Sequence, residues 1–320
     1  MIDRIIYIKN VFIVVFIFMF FFSCGDSQSE DSTGSENCNE LIMVDTSRGL
    51  CTEQLSYSNQ VIFSISGDLR KVTANNIPAH NVGLFGNVSG ALNPNAITAQ
   101  NSSYDIDLTP SKANTKTQLL NNGPLYSFGI LLNGVEVDPV AAEPWPHTKP
   151  VTNNHNWSWN LEATMVNIGL DCNTAHVQPN GKYHYHGVPS LYLESLSPSS
   201  SEMLHVGWAA DGYPIYYMYG YSSVNDSTSM VKALASSYQM KAGERSGDGD
   251  SAPCGEYTGV YSADYEYLDG LGDLDECNGR EGVTPEFPGG TYYYVITNEY
   301  PGIPRCFVGT PSSDFKIGPG

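Results

Sequence analysis

Three of the chain's seven histidines fall in one short stretch, "HVQPNGKYHYHG" at residues 176–187. His176 stands on one side of Pro179-Asn180-Gly181, and His184 and His186 stand on the other. As a three-residue hairpin loop, this sequence puts Pro179 where a type I turn wants φ of about −65°, Asn180 next, and Gly181 where the backbone turns left-handed. That choice fixes the register: Gln178 faces Lys182, Val177 faces Tyr183, and His176 faces His184. Side chains alternate along a strand, so His186 shares a face with His184, and all three imidazoles converge while Tyr183 and Tyr185 point the other way. A two-residue Asn-Gly loop would shift the pairing by one and send His176 to the opposite face. The three-residue loop is preferred because each of its residues suits its backbone position.

Three neutral imidazoles on one face are costly unless something bonds them, and a cation is their simplest common partner. Nitrogen ligands suit Zn, Cu, Ni or Fe better than Ca or Mg, with Zn or Cu foremost. Three protein nitrogens with a fourth position open are also the arrangement of catalytic zinc sites. The alternative is a structural role, with the rings bonded to Tyr hydroxyls and backbone groups in an aromatic core. Downstream, "HVGWAADGYPIY" offers His205 and Asp211 as further ligands or as groups that orient a ligand ring. Asp211 or Glu194 are the candidates for a base acting on metal-bound water. His80, His147 and His155 lie in Pro- or Asn-rich surroundings and read as ordinary loop histidines.

A second polar cluster, "LDGLGDLDECNGREG", gathers Asp269, Asp273, Asp275, Glu276 and Asn278. Oxygen-rich loops of this kind hold Ca²⁺, but Cys277 stands where the EF-hand spacing needs a ligand, so a solvated turn is the preferred reading. The sequence contains no G-x-S-x-G elbow, phosphate-binding glycine loop or H-E-x-x-H helix.

The elements that must position these residues read as strands. Segments such as "VIFSISG", "YSFGILLNGVEVD", "WSWNLEATMVNIG", "PIYYMYG" and "TYYYVITN" set β-branched and aromatic residues between turn formers. An exposed Tyr row in the last of these would suit sugar rings, although a core role is the simpler reading. One helix is expected, over "NDSTSMVKALASSYQ" (residues 225–239), with Asp226 or Ser227 as cap. The expected fold is mainly β: a single domain of antiparallel sheets, a sandwich or an irregular multi-sheet body, with long disulfide-fastened loops and little helix.

Residues 1–24 carry Arg4 and Lys9, an apolar run over 11–22 and Ser23-Cys24, the layout of an exported protein's signal peptide ending at a lipidated cysteine, Cys24. The run is short for a bilayer span. Residues 25–39 read as a flexible acidic Ser/Gly-rich tether, and 40–320 as the β domain. Besides Cys24 there are six cysteines, an even set suited to three disulfides in an oxidising compartment. The pairing expected first is Cys38 with Cys51, because a short loop closes at low entropic cost. The expected location is extracytoplasmic, held at the membrane through the lipid and facing the periplasm or the cell surface; release from the cell is the alternative.

A net charge of −19, from 34 acidic against 15 basic residues, excludes nucleic acid as a partner. A metal ion, a glycan or a small molecule fits better.

The tetrad Tyr183-His184-Tyr185-His186 resembles the signature of the YHYH family of secreted bacterial proteins. Segments such as "GLDCNTAHVQPNGKYHYHGVP", "HVGWAADGYPIYYMYG" and "TYYYVITNEYPGIPRCFVG" are similar to the family's shared stretches over roughly residues 64–309. The resemblance carries no reaction or ligand with it; the metal role comes from the histidines' own chemistry. Three functions follow as expectations: a metal-binding surface protein, a metal-dependent enzyme (a zinc hydrolase or copper oxidoreductase), or an adhesion or glycan-binding module with structural histidines.

Overall fold

The computed structural model describes Cys38 and residues 42–317. The leader, Cys24 and most of the tether lie outside the described residues.

The body is built on a sheet of eight strands whose order across it is Gly279–Gly282, Thr291–Ile296, Pro214–Tyr217, Leu204–Ala209, Gly129–Leu131, Glu136–Val137, Tyr183–Tyr185 and Ala175–Val177. Most neighbours are antiparallel, as expected, but Tyr183–Tyr185 runs parallel to Glu136–Val137, and Pro214–Tyr217 parallel to Thr291–Ile296. Both faces of the sheet are covered. Along "TYYYVI", Tyr292, Tyr294 and Ile296 enter the main core with Phe128 and Phe307, while Tyr293 and Val295 enter a second cluster with Tyr216 and Leu234. Period-2 alternation thus feeds two cores, and the Tyr row is buried rather than exposed. A three-stranded sheet, Val61–Ser66, Leu69–Ala74 and Ser102–Asp107, adds Val72, Tyr104 and Ile106 to the main core. Its first hairpin turns on Gly67, which has φ of 62° and opens the two-residue loop that the pairing of Ser66 with Leu69 requires.

Two expectations are corrected. Residues 225–239 form no helix: Asp226 Oδ1 accepts from the Thr228 N–H at 2.8 Å and closes a turn, after which Val231–Ala233 pairs with Tyr219–Tyr221 and Tyr238–Met240 with Tyr265–Tyr267. Side chains of Asp, Ser and Thr that bond the local backbone compete with helix, and this stretch is rich in them. Among the described residues, the α-helix is Ser190–Ser195, just after the hairpin.

The disulfides are Cys38–Cys254, Cys51–Cys172 and Cys277–Cys306, so Cys38 does not pair with Cys51. Short-loop entropy is overruled by the folded path: Gly49 bridges Asp171 in parallel, which lays Cys51 beside Cys172. Three disulfides belong to an oxidising, extracytoplasmic setting. No helix among the described residues is long and apolar enough to cross a membrane.

Candidate metal centre

The hairpin forms in the three-residue register. Gly181 donates to the Gln178 carbonyl at 2.8 Å and Gln178 to the Lys182 carbonyl at 2.9 Å, and Gly181 has φ of 84°. Val177 pairs with Tyr183, His176 with His184 and Ala175 with Tyr185.

The two faces of this ribbon have opposite jobs. On one, Tyr183 donates to Asp171 Oδ2 at 2.8 Å, and the Tyr185 hydroxyl meets His80 Nε2 at 2.7 Å and Asn133 Nδ2 at 2.8 Å. Both rings are fully buried. At 150–250 Å² per ring and about 25 cal/mol per Å², each contributes on the order of 4–6 kcal/mol of gross burial energy that holds the strand down. His80 therefore belongs to the tyrosine anchor rather than to an ordinary loop.

On the other face the three imidazoles meet. His186 Nε2 lies 3.0 Å from His184 Nε2 and 3.0 Å from His176 Nε2, and the three ligand atoms fall within 4.8 Å of one another. Nitrogens held about 2.0–2.1 Å from a tetrahedral ion sit roughly 3.3 Å apart, so the spacing suits one shared ion. His176 Nδ1 faces the Ile168 carbonyl at 3.2 Å and His184 Nδ1 the Lys182 carbonyl at 3.3 Å. A carbonyl only accepts, so each Nδ1 carries the hydrogen and each Nε2 turns a lone pair inward. At most one proton, on His186 Nε2, is left for two N···N contacts. A cation at the meeting point would satisfy all three rings, and the backbone carbonyls set the tautomers as they do for metal-ligating histidines generally.

Burial keeps the cluster neutral. Desolvation and the neighbouring rings hold His184 and His186 well below the usual imidazole range. His176 is lowered too, chiefly by burial, against the opposing pull of the Ile168 carbonyl and the Glu143 charge.

His176 and His186 open onto a cleft of about 700 Å³, whose wall also carries Asp138, Glu143, Leu161 and Ile168. Asp138 is buried, and desolvation together with the neighbouring Glu136 charge pushes its carboxyl up to about 7. Glu143 holds Lys149 at 3.0 Å. Neither carboxylate was singled out from the sequence. Asp138 lies in "NGVEVDP", and a parallel pairing between segments so far apart leaves no local pattern to read.

The other candidates lie elsewhere. His205 Nε2 donates to the Gly207 carbonyl at 2.9 Å and packs against Trp208 and Tyr216. Its strand is separated from the hairpin by Gly129–Leu131 and Glu136–Val137. Asp211 accepts from the Tyr294 hydroxyl at 2.6 Å and the Gly309 N–H at 2.9 Å, and burial pushes its carboxyl up to about 6. Glu194 is exposed on the short helix and does not line the cleft. The acidic loop also spends its groups internally: Asp273 on Lys232 at 2.6 Å, Glu276 on Lys116, and Asp275 on the Tyr292 hydroxyl at 3.0 Å. Among the described residues, the group with metal-ligand spacing is His176, His184 and His186.

Against protein families, the YHYH protein family matches residues 103–309. The chain belongs to the YHYH family. The match includes the hairpin, Asp171 and Asn133 of the tyrosine anchor and the carboxylates of the cleft, while His80 lies before it. Comparison with curated proteins and with solved structures finds no match.

Proposed function

We propose that this YHYH protein binds a transition metal ion, Zn or Cu foremost, through Nε2 of His176, His184 and His186. The observation that carries this reading is the convergence of three Nε2 atoms, those of His184 and His186 on buried rings and that of His176 on a half-buried one, while two of the opposite ring nitrogens are committed to backbone carbonyls. The test is elemental analysis of protein purified without a His tag, before and after reconstitution. One equivalent of Zn, Cu, Ni or Fe is expected, and failure to retain any of them ends the proposal.

A second reading, a metal-dependent enzyme, is favoured by the cleft. Side chains of His176 and His186 face it together with Asp138 and Glu143, so an ion held by three nitrogens would keep a position toward a space that contains acid–base groups. Glu143, whose charge acts on His176, takes the role the sequence had suggested for Asp211 or Glu194. Azide added to the copper- or cobalt-loaded protein should alter the visible spectrum; an unchanged spectrum would argue for a closed, non-catalytic site.

Lipid attachment at Cys24, with residues 25–39 as tether and 40–320 as the exposed domain, completes the proposal. The cysteine after Ser23 and the short apolar run support it. Incorporation of labelled fatty acid in cells, lost in Cys24→Ser, tests it.

A further inference from the structure

Two of the three cluster histidines have an identified partner for the nitrogen that points away from the meeting point; His186 does not. Its Nδ1 is buried without a hydrogen bond. The sheet places a residue with a complementary atom on the neighbouring strand. Strand Glu136–Val137 runs parallel to Tyr183–Tyr185, with His184 opposite Glu136 and Tyr185 opposite Val137. The ladder continues one residue, because Asp138 donates its N–H to the Tyr185 carbonyl at 2.8 Å. Register partners in parallel strands project to the same face, and their strands lie about 4.8 Å apart. The Lys182–Glu136 ion pair at 2.8 Å confirms that even-numbered residues of the two strands share that face. Asp138 is therefore the cross-strand neighbour of His186 on the histidine side. It too is buried, and its Oδ1 has no hydrogen-bond partner. An orphaned acceptor and an orphaned ring nitrogen thus stand on adjacent positions of one sheet face, both residues lining one cleft.

We infer that Asp138 is the positioning residue of the metal centre: its Oδ1 accepts the His186 Nδ1 hydrogen and fixes the tautomer in which His186 Nε2 presents a lone pair. This rests on the metal-binding reading. The three rings would then be oriented by the Ile168 carbonyl, the Lys182 carbonyl and the Asp138 carboxyl, and of these only the last can ionise. A negatively charged acceptor makes the ring it holds the more basic ligand. The rival acceptor on that side, the Pro139 carbonyl, pulls on the His186 ring but closes no hydrogen bond with its Nδ1, and it is engaged by Arg305 Nη1 at 2.6 Å.

The experiment is a cobalt(II) titration of the full chain, read by the d–d spectrum, for wild type, Asp138→Ala, Asp138→Asn and His186→Ala. Wild type is expected to bind. Asp138→Ala should weaken binding by about 10–100-fold, as loss of a supporting partner generally does. Asp138→Asn, the same size and with an amide oxygen still able to accept, should recover part of the loss with a shifted spectrum. It also guards against an Ala variant that fails to fold. A wild type that takes up no cobalt overturns the metal reading and this inference with it. Wild-type uptake with unchanged affinity in both Asp138 variants, against loss in His186→Ala, overturns the role of Asp138 alone.

Discussion

His176 and His184 stand directly opposite each other across the hairpin, their ring centroids 4.8 Å apart and their planes inclined at 73°. Only an antiparallel pair in the register set by Pro179, Asn180 and Gly181 gives this relationship. A slip of one residue would send His176 to the tyrosine side. His186 then joins by alternation, so a single turn determines whether three nitrogens can share an ion.

If that convergence is the binding site, His184→Ala should lower affinity for zinc or copper beyond the roughly 10–100-fold that losing a supporting group costs. His205→Ala should leave it unchanged, since that ring bonds Gly207 on a distant strand. Competition titration with a chromogenic chelator measures both. Equal affinities for His184→Ala and wild type would refute the ligand set.

The loop itself can be tested at Gly181. Its φ of 84° lies where a side chain costs about 1–2 kcal/mol, and an added Cβ would land on Thr98 Oγ1. Gly181→Val should lower the thermal midpoint by several degrees and weaken metal binding together. A variant with normal stability and normal binding would mean that the turn does not set the site.

How far the sequence reveals this architecture follows from the range of each interaction. The hairpin was legible because Pro, Asn and Gly report local backbone angles, and the alternation of Tyr and His reports two faces. Asp138 was not, because its place beside His186 depends on a parallel pairing between segments nearly fifty residues apart in the chain. The helix expected at 225–239 yielded to local turn bonds around Asp226, and Cys51 went to Cys172 because a bridge at Gly49 had brought the two segments together. Propensity and loop entropy are local terms; the contacts that overruled them are not.

The Cys51–Cys172 bond sits at the base of the hairpin, next to Asp171, which holds Tyr183. Removing a native disulfide typically costs about 2–5 kcal/mol, and more for a longer loop. The bond spans 121 residues in sequence and Cys277–Cys306 spans 29, a difference worth about 1 kcal/mol on chain entropy. Guanidinium unfolding of the two paired Cys→Ala variants should therefore show the larger loss at Cys51–Cys172, with weaker metal binding in that variant only. The reverse order would show that anchoring of the hairpin lies elsewhere.

The buried histidines also predict how the metal-free protein responds to acid. His176, His184 and His186 are held below the usual imidazole range when folded, whereas in the unfolded chain they titrate near about 6.5. Below that pH the unfolded chain binds protons that the folded cluster refuses, so their contribution, complete above about 6.5, is lost progressively as pH falls. Each group loses up to about 1.4 kcal/mol per pH unit until its folded value is reached. Asp138 and Asp211 act in the opposite sense: with folded values raised to about 7 and about 6, they bind protons first in the folded state and stabilise it as pH falls toward the unfolded carboxylate value. The histidine share is accordingly read as a difference. In chelator-treated protein, wild type should lose stability between pH 7 and 5 relative to His184→Phe/His186→Phe, measured by urea unfolding. Parallel curves for the two proteins would mean that the rings are not held neutral, and saturating zinc at pH 7 should raise the stability of wild type and leave the double variant unmoved.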